Sequence, residues 1–149
     1  MATTLTNATL TVTITESITL NGVDQGGTQT LSVSNINEID RRIFTAGTSA
    51  ADIIGFGTSN GQGQFVRTDV KYIRITNLDD TNFVVIGMKD SASDTFYVKL
   101  DAGKSLMFGN DDLEIHASGG AWSAWSEADV ITAAADTASV DLEVFIAST

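Results

Sequence analysis

Gly57, Ser59 and Gly61 fall at the G-x-S-x-G spacing that presents a nucleophilic serine at a strand-to-helix elbow. That elbow needs a strand before the serine, a helix after it and a histidine base. Glycine-rich sequence runs on both sides here, and His116 is the only histidine, so a surface loop is expected and a serine hydrolase is disfavoured. Gly103, Lys104 and Ser105 resemble the end of a phosphate-binding loop, but the first glycine of that motif would fall on Val98. A hairpin turn is the better reading. A lone His116 cannot assemble the several N or S ligands that zinc wants. Asp79 and Asp80, and Asp111, Asp112 and Glu114, offer carboxylates to calcium or to glycoside hydrolysis. Their spacing does not fit the helix–loop–helix calcium site, and solvated turn residues are expected. No catalytic residue, metal site or cofactor is therefore assigned.

The other candidates work by contact. Trp122 and Trp125 lie three apart in a Gly/Ser-rich stretch. Their W-S-x-W spacing resembles thrombospondin repeats, but those are cysteine-bonded and this chain has no cysteine. The pair reads as an interface anchor or a sugar platform, or else as one tryptophan capping the core. Arg41 and Arg42 are the only adjacent cations. Leu5, Leu10 and Val12 belong to a Thr-rich segment, residues 3–14, with no charge and no proline to block edge pairing. Such a segment can add as a strand to a neighbouring copy or to another protein. Trp122, Trp125, Arg41, Arg42, Leu5, Leu10 and Val12 are the candidate partner-binding residues.

Composition limits the partners. Eight basic and 19 acidic residues give a net charge of −11. Such a surface repels phosphate backbones and anionic membranes, so neither nucleic acid nor a membrane is expected, and a basic protein surface suits it. No cationic start followed by an apolar run marks an export signal, so synthesis in the cytoplasm is expected. With no proline anywhere, turns must be made by Gly, Asn, Asp and Ser.

The elements that position these residues are strands. Leu10, Val12 and Ile14 alternate with threonines, and Ile18 and Leu20 extend the run towards turn residues Asn21 and Gly22. Ile73 and Ile75 face opposite Tyr72, Arg74 and Thr76; Val140, Leu142, Val144 and Ile146 face opposite Asp141 and Glu143. Residues 36–66 are less regular: Ile39, Ile43 and Phe44 suit a strand or a helical turn, and residues 55–63 read as an exposed loop. Residues 126–135 are compatible with helix or strand. Strands at intervals of roughly 8–12 residues predict an all-β protein, an antiparallel β-sandwich or jelly-roll-like fold. Its 149 residues suit one domain, with residues 1–15 as an N-terminal arm or exchanged edge strand. The expected core is Phe83, Val85, Phe96, Val98, Leu100, Leu106, Leu113, Ile115, Leu142 and Val144.

Residues 72–149 carry a resemblance. The runs Tyr72 to Asp79, Asn82 to Gly87, Phe96 to Lys104 and Val140 to Ile146 are similar to small β-sandwich structural proteins of tailed bacteriophages. Ala102 and Gly103 stand where those proteins carry proline-glycine. The resemblance implies a non-enzymatic virion component, foremost a capsid cement or decoration protein bound to the major capsid protein or another virion protein. It brings no catalytic residues. A homo-oligomer is expected, with a trimer suited to a capsid three-fold position. The alternatives are a tail- or fibre-associated module that recognises a glycan through its tryptophans and, disfavoured, a hydrolase.

Overall fold

The computed structural model describes residues 4–61, 63–90, 95–109 and 128–149, and every helix or strand among them is a β-strand. The chain forms two compact units, Met1–Asn37 and Glu38–Thr149.

The first unit is a two-stranded antiparallel ribbon. It runs through β1 (Ala8–Glu16), β2 (Thr19–Leu20), β3 (Val23–Asp24) and β4 (Gly27–Ile36). Asn21 and Gly22 close it with φ of 51° and 81°. Positive φ at both central residues defines the turn whose twist matches a hairpin, and Asn-Gly supplies it at least cost. The Gln25 amide donates to the Ile18 carbonyl at 2.9 Å, so the ladder continues between the two paired stretches. Register shifts once, between Ala8 and Leu10, and is unchanged from there to the turn: Leu20 sits opposite Val23, Val12 opposite Leu31 and Leu10 opposite Val33. Gly26 has no alternative, since a Cβ there would run into the Glu16 carbonyl oxygen.

The second unit holds β5 (Glu38–Ala46), β6 (Ala51–Gly57), β7 (Gln64–Val66), β8 (Val70–Asn77), β9 (Val84–Asp90), β10 (Thr95–Leu100), β11 (Ser105–Gly109), β12 (Ala128–Ala135) and β13 (Val140–Ser148). They form a sheet in the order β10-β9-β12-β6-β7 and another in the order β11-β8-β13-β5. The pairs β9·β10, β8·β11, β6·β12 and β5·β13 are those of one long antiparallel hairpin. Rolling that hairpin on itself adds β9·β12 and β8·β13. The result is a jelly roll, two facing sheets that do not close into a barrel. The short β7 is added in parallel at one edge.

Period two decides what lies between the sheets. Ile73, Ile75, Leu142, Val144 and Ile146 line one inner face, and Ile54, Val84, Ile86, Met88 and Ile131 line the other, each at most 3% exposed. The alanine-rich stretch is strand β12, because Ile131, Ala133 and Ala135 fill alternate inner positions while β9 and β6 pair with it on both sides. Pairing and burial override alanine's helix propensity. Residues 38–46 likewise resolve as strand β5.

Several expected positions are corrected. Phe96 is 59% exposed, because β10 is an edge strand with β9 as its only neighbour among the described residues. In the unbroken apolar run of β9, Val84, Ile86 and Met88 point inward and Val85 is only half-buried. The run has no alternation, so its register could not be read. Phe83 is half-buried under the Lys99 ammonium, 4.4 Å from the ring centroid. Val98, Leu106 and Phe108 pack partly buried against the core, as Leu100, Leu142 and Val144 do fully. Ile14, expected inward, is exposed at 43%. Gly55 to Gly57 lie in strand β6 with Phe56 buried, so the glycine loop is shorter than expected. Leu113 and Ile115 lie outside the described residues.

Candidate functional site

The G-x-S-x-G glycines lie under one side chain. Gln64 starts β7, and its side-chain amide lies over Gly57 and Gly61, so that a Cβ on either would require that amide to swing aside. The same amide donates to the Ser59 carbonyl at 3.2 Å. Ser59 is exposed and follows strand β6, but no helix follows it, so the elbow is not built. Residues 101–104 form a turn closed by the Lys104 amide on the Asp101 carbonyl at 3.1 Å. It joins β10 in one sheet to β11 in the other, so it is a crossover rather than the hairpin turn expected.

Asp79 closes its own loop. Its Oδ1 accepts from the Asn82 amide at 2.6 Å and the Thr81 amide at 2.8 Å, and these bonds hold the carboxyl below its ordinary pKa. Asn77, buried, donates through Nδ2 to the Asn82 and Leu100 carbonyls. Among the described residues, no cluster of three or more His, Cys, Asp or Glu is placed to hold a metal ion. A groove of about 600 Å³ beside β6 and β12 is lined by Arg42, Asp52, Gln64, Lys89 and Asp129 among others, two cations against two carboxylates. Asp111, Asp112, Glu114, His116, Trp122 and Trp125 lie outside the described residues.

Two faces remain that could bind a partner. The first is the outer face of the four-stranded sheet. Alternation splits the arginine pair across β5. Arg42 turns to the Asp40 carboxylate at 3.3 Å and to the Ile53 carbonyl. Arg41 turns outward and donates to Glu143 Oε2 through Nη2 at 2.7 Å and Nε at 3.1 Å. Arg74, two strands away, donates to Glu143 Oε1 and, at 2.6 Å, to the Thr76 hydroxyl. Glu143 is thus held from both sides, and the hydrogen bonds from Arg41, then Arg74, keep its carboxyl below its ordinary pKa. Tyr72 and Phe145 meet edge to face at 5.9 Å on the same sheet, and burial raises the Tyr72 phenol. Ile39 (64%), Ile43 (66%) and Met107 (43%) stand exposed around them.

The second face belongs to the ribbon. From Leu10 to the turn, constant register puts Leu10, Val12, Ile14, Ile18 and Leu20 on one side with Val23, Leu31 and Val33, together with Glu16, Gln25 and Gln29. Thr11, Thr13, Thr15 and Thr19 share the other side with Thr28, Thr30 and Ser32. The apolar side is covered unevenly. Val33 is buried and Leu10, Val12 and Leu31 are half-buried, whereas Ile18, Leu20 and Val23, next to the turn, are 56–60% exposed. Leu5, ahead of β1, is 65% exposed. Residues 8–16, within and beside the segment expected to act as an N-terminal arm or exchanged edge strand, pair through one edge with this chain's own β4.

Sequence reasoning missed Glu143, Arg74 and the exposed trio Ile18, Leu20 and Val23. Arg41 and Glu143 are 102 residues apart, so no local signal links them. The trio could have been found from the Asn-Gly turn, which fixes which residues share its face. Comparison with protein-family models, curated proteins and solved structures finds no match.

Proposed function

We propose that this chain is a non-enzymatic structural protein of a bacteriophage particle, a capsid cement or decoration protein that works by contact. The observation that carries the assembly part of this reading is the ribbon. A two-stranded hairpin alone is marginally stable in water, and this one leaves its apolar side increasingly bare towards the turn. Bare apolar surface on a strand ribbon calls for a protein partner. The head of the particle as the place of action rests on the sequence resemblance. A jelly roll suits a surface component, and the net charge of −11 suits a basic shell.

The test is to add purified protein to particles lacking it and to measure occupancy by electron microscopy at rising salt. Occupancy of a regular lattice that weakens with salt, and that is lost in a variant beginning at residue 38, is the expected result. No binding to heads, or binding to isolated glycans alone, overturns it.

A further inference from the structure

We infer that the ribbon's apolar side is covered by the same side of another copy of this chain, ribbon against ribbon around a closed symmetry axis. This rests on the assembly reading above but not on the particle.

Charge selects the partner. Residues 1–37 contain only Glu16 and Asp24 as charged residues and no cation. The rest of the chain carries the other 17 acids and all 8 bases, a net −9. A ribbon laid on another copy's sandwich brings like charge to like charge. A ribbon laid on another ribbon brings together only the Glu16 carboxylate of each copy, since Asp24 lies on the hydroxyl side. The ribbon is therefore the part of this acidic chain best able to approach a second copy.

The two sides are also unlike in a way that suits self-pairing. One bears Leu10, Val12, Ile14, Ile18, Leu20, Val23, Leu31 and Val33, interrupted by Glu16, Gln25 and Gln29; the other bears mostly hydroxyls, with Asp24 opposite Thr19. Apolar sides turned inward would leave the Thr and Ser side chains in water. An isologous contact needs one self-complementary patch, and the exposed cluster of Ile18, Leu20 and Val23 beside the turn provides it. Exposure at Ile18, Leu20 and Val23 of 56–60% shows where the uncovered part lies.

The chain has no cysteine, which gives a direct test. In an otherwise thiol-free protein, Leu20→Cys can form a disulfide only with another chain. Full-length Leu20→Cys under mild oxidant should give covalent oligomer far faster than Thr13→Cys, placed on the hydroxyl side. Equal rates for the two, or no covalent product from Leu20→Cys, overturn the inference. Sedimentation of the cysteine-free protein should show an integral multiple of the chain mass. Leu20→Asp with Val23→Asp should weaken association by about tenfold or more, while Thr13→Asp with Thr30→Asp should leave it intact. Circular dichroism checks that each variant keeps its strands, and the cysteine pair serves if the aspartates unfold the ribbon. Salt should tighten the oligomer by screening the Glu16 carboxylates, the opposite of its expected effect on a basic shell. A monomeric wild type, or an oligomer dissolved by salt, overturns the inference. Intact oligomers that fail to coat heads would instead overturn the particle reading alone.

Discussion

Glu143→Gln separates what the two arginines contribute to the outer sheet face. The carboxylate side chain is 17% exposed, Arg74 28% and Arg41 66%. An exposed pair such as Arg41–Glu143 is worth about 0–1 kcal/mol. Hydrogen bonds to charged groups reach about 1.5–3 kcal/mol when shielded, and the partial exposure of Arg74 lowers its share towards the bottom of that range. Glutamine keeps one acceptor but turns an N–H donor towards a guanidinium that only donates. The expected cost at neutral pH is about 1–2 kcal/mol. It should depend on pH in one direction. Because the folded carboxyl lies below its ordinary 4.5, its stabilisation is present above that value and lost as pH falls through the lower folded value. Urea unfolding followed by far-ultraviolet dichroism should therefore show wild type and Glu143→Gln apart at neutral pH and converging in acid. Arg74→Ala should cost more than Arg41→Ala. A difference that stays constant into strong acid, or a larger cost at Arg41, refutes the reasoning.

Leu142→Ala, in the fully buried inner face, should cost about 2–5 kcal/mol in the same unfolding assay, whereas Phe96→Ala on the exposed edge should cost under about 1. Equal costs would mean that the β10 edge is covered. Gly22→Ala forces a side chain into φ of 81° at a penalty of about 1–2 kcal/mol. Amide exchange should then quicken at Leu20 and Val23, with the unfolding of residues 38–149 unchanged; protection kept at both amides would argue against the turn described.

Strand positions were legible wherever one face is wet and the other dry. Ile73 and Ile75, and Val140 to Ile146, alternate cleanly, and each set proved to line the core. Legibility failed where alternation failed. The run from Val84 to Met88 concealed its own register, and residues 126–135 offered helix and strand equally until β6 and β9 supplied partners. Phe96 looked like core because its spacing is right; that it sits on an edge depends on strand order, which period cannot show. The Asn-Gly turn was visible, but not that it closes a hairpin whose apolar residues stay uncovered beside it. The G-x-S-x-G spacing was visible too, but not that one glutamine amide lies over both of its glycines.

The roll also sets a timetable. In its sheet β5 has β13 as its only neighbour among the described residues, and the two are joined register to register from Val140 with Ala46 to Ser148 with Glu38. A ribosome therefore releases the first strand of the sandwich long before the strand that pairs with it. Until then β5 has no ladder, and β8 lacks one of its two. Contacts so distant in sequence make folding slow and delay its completion until β13 has emerged. A nascent chain stalled before Val140 would present open strand edges to whatever is near, and a cell producing many copies at once would meet that hazard in every one of them.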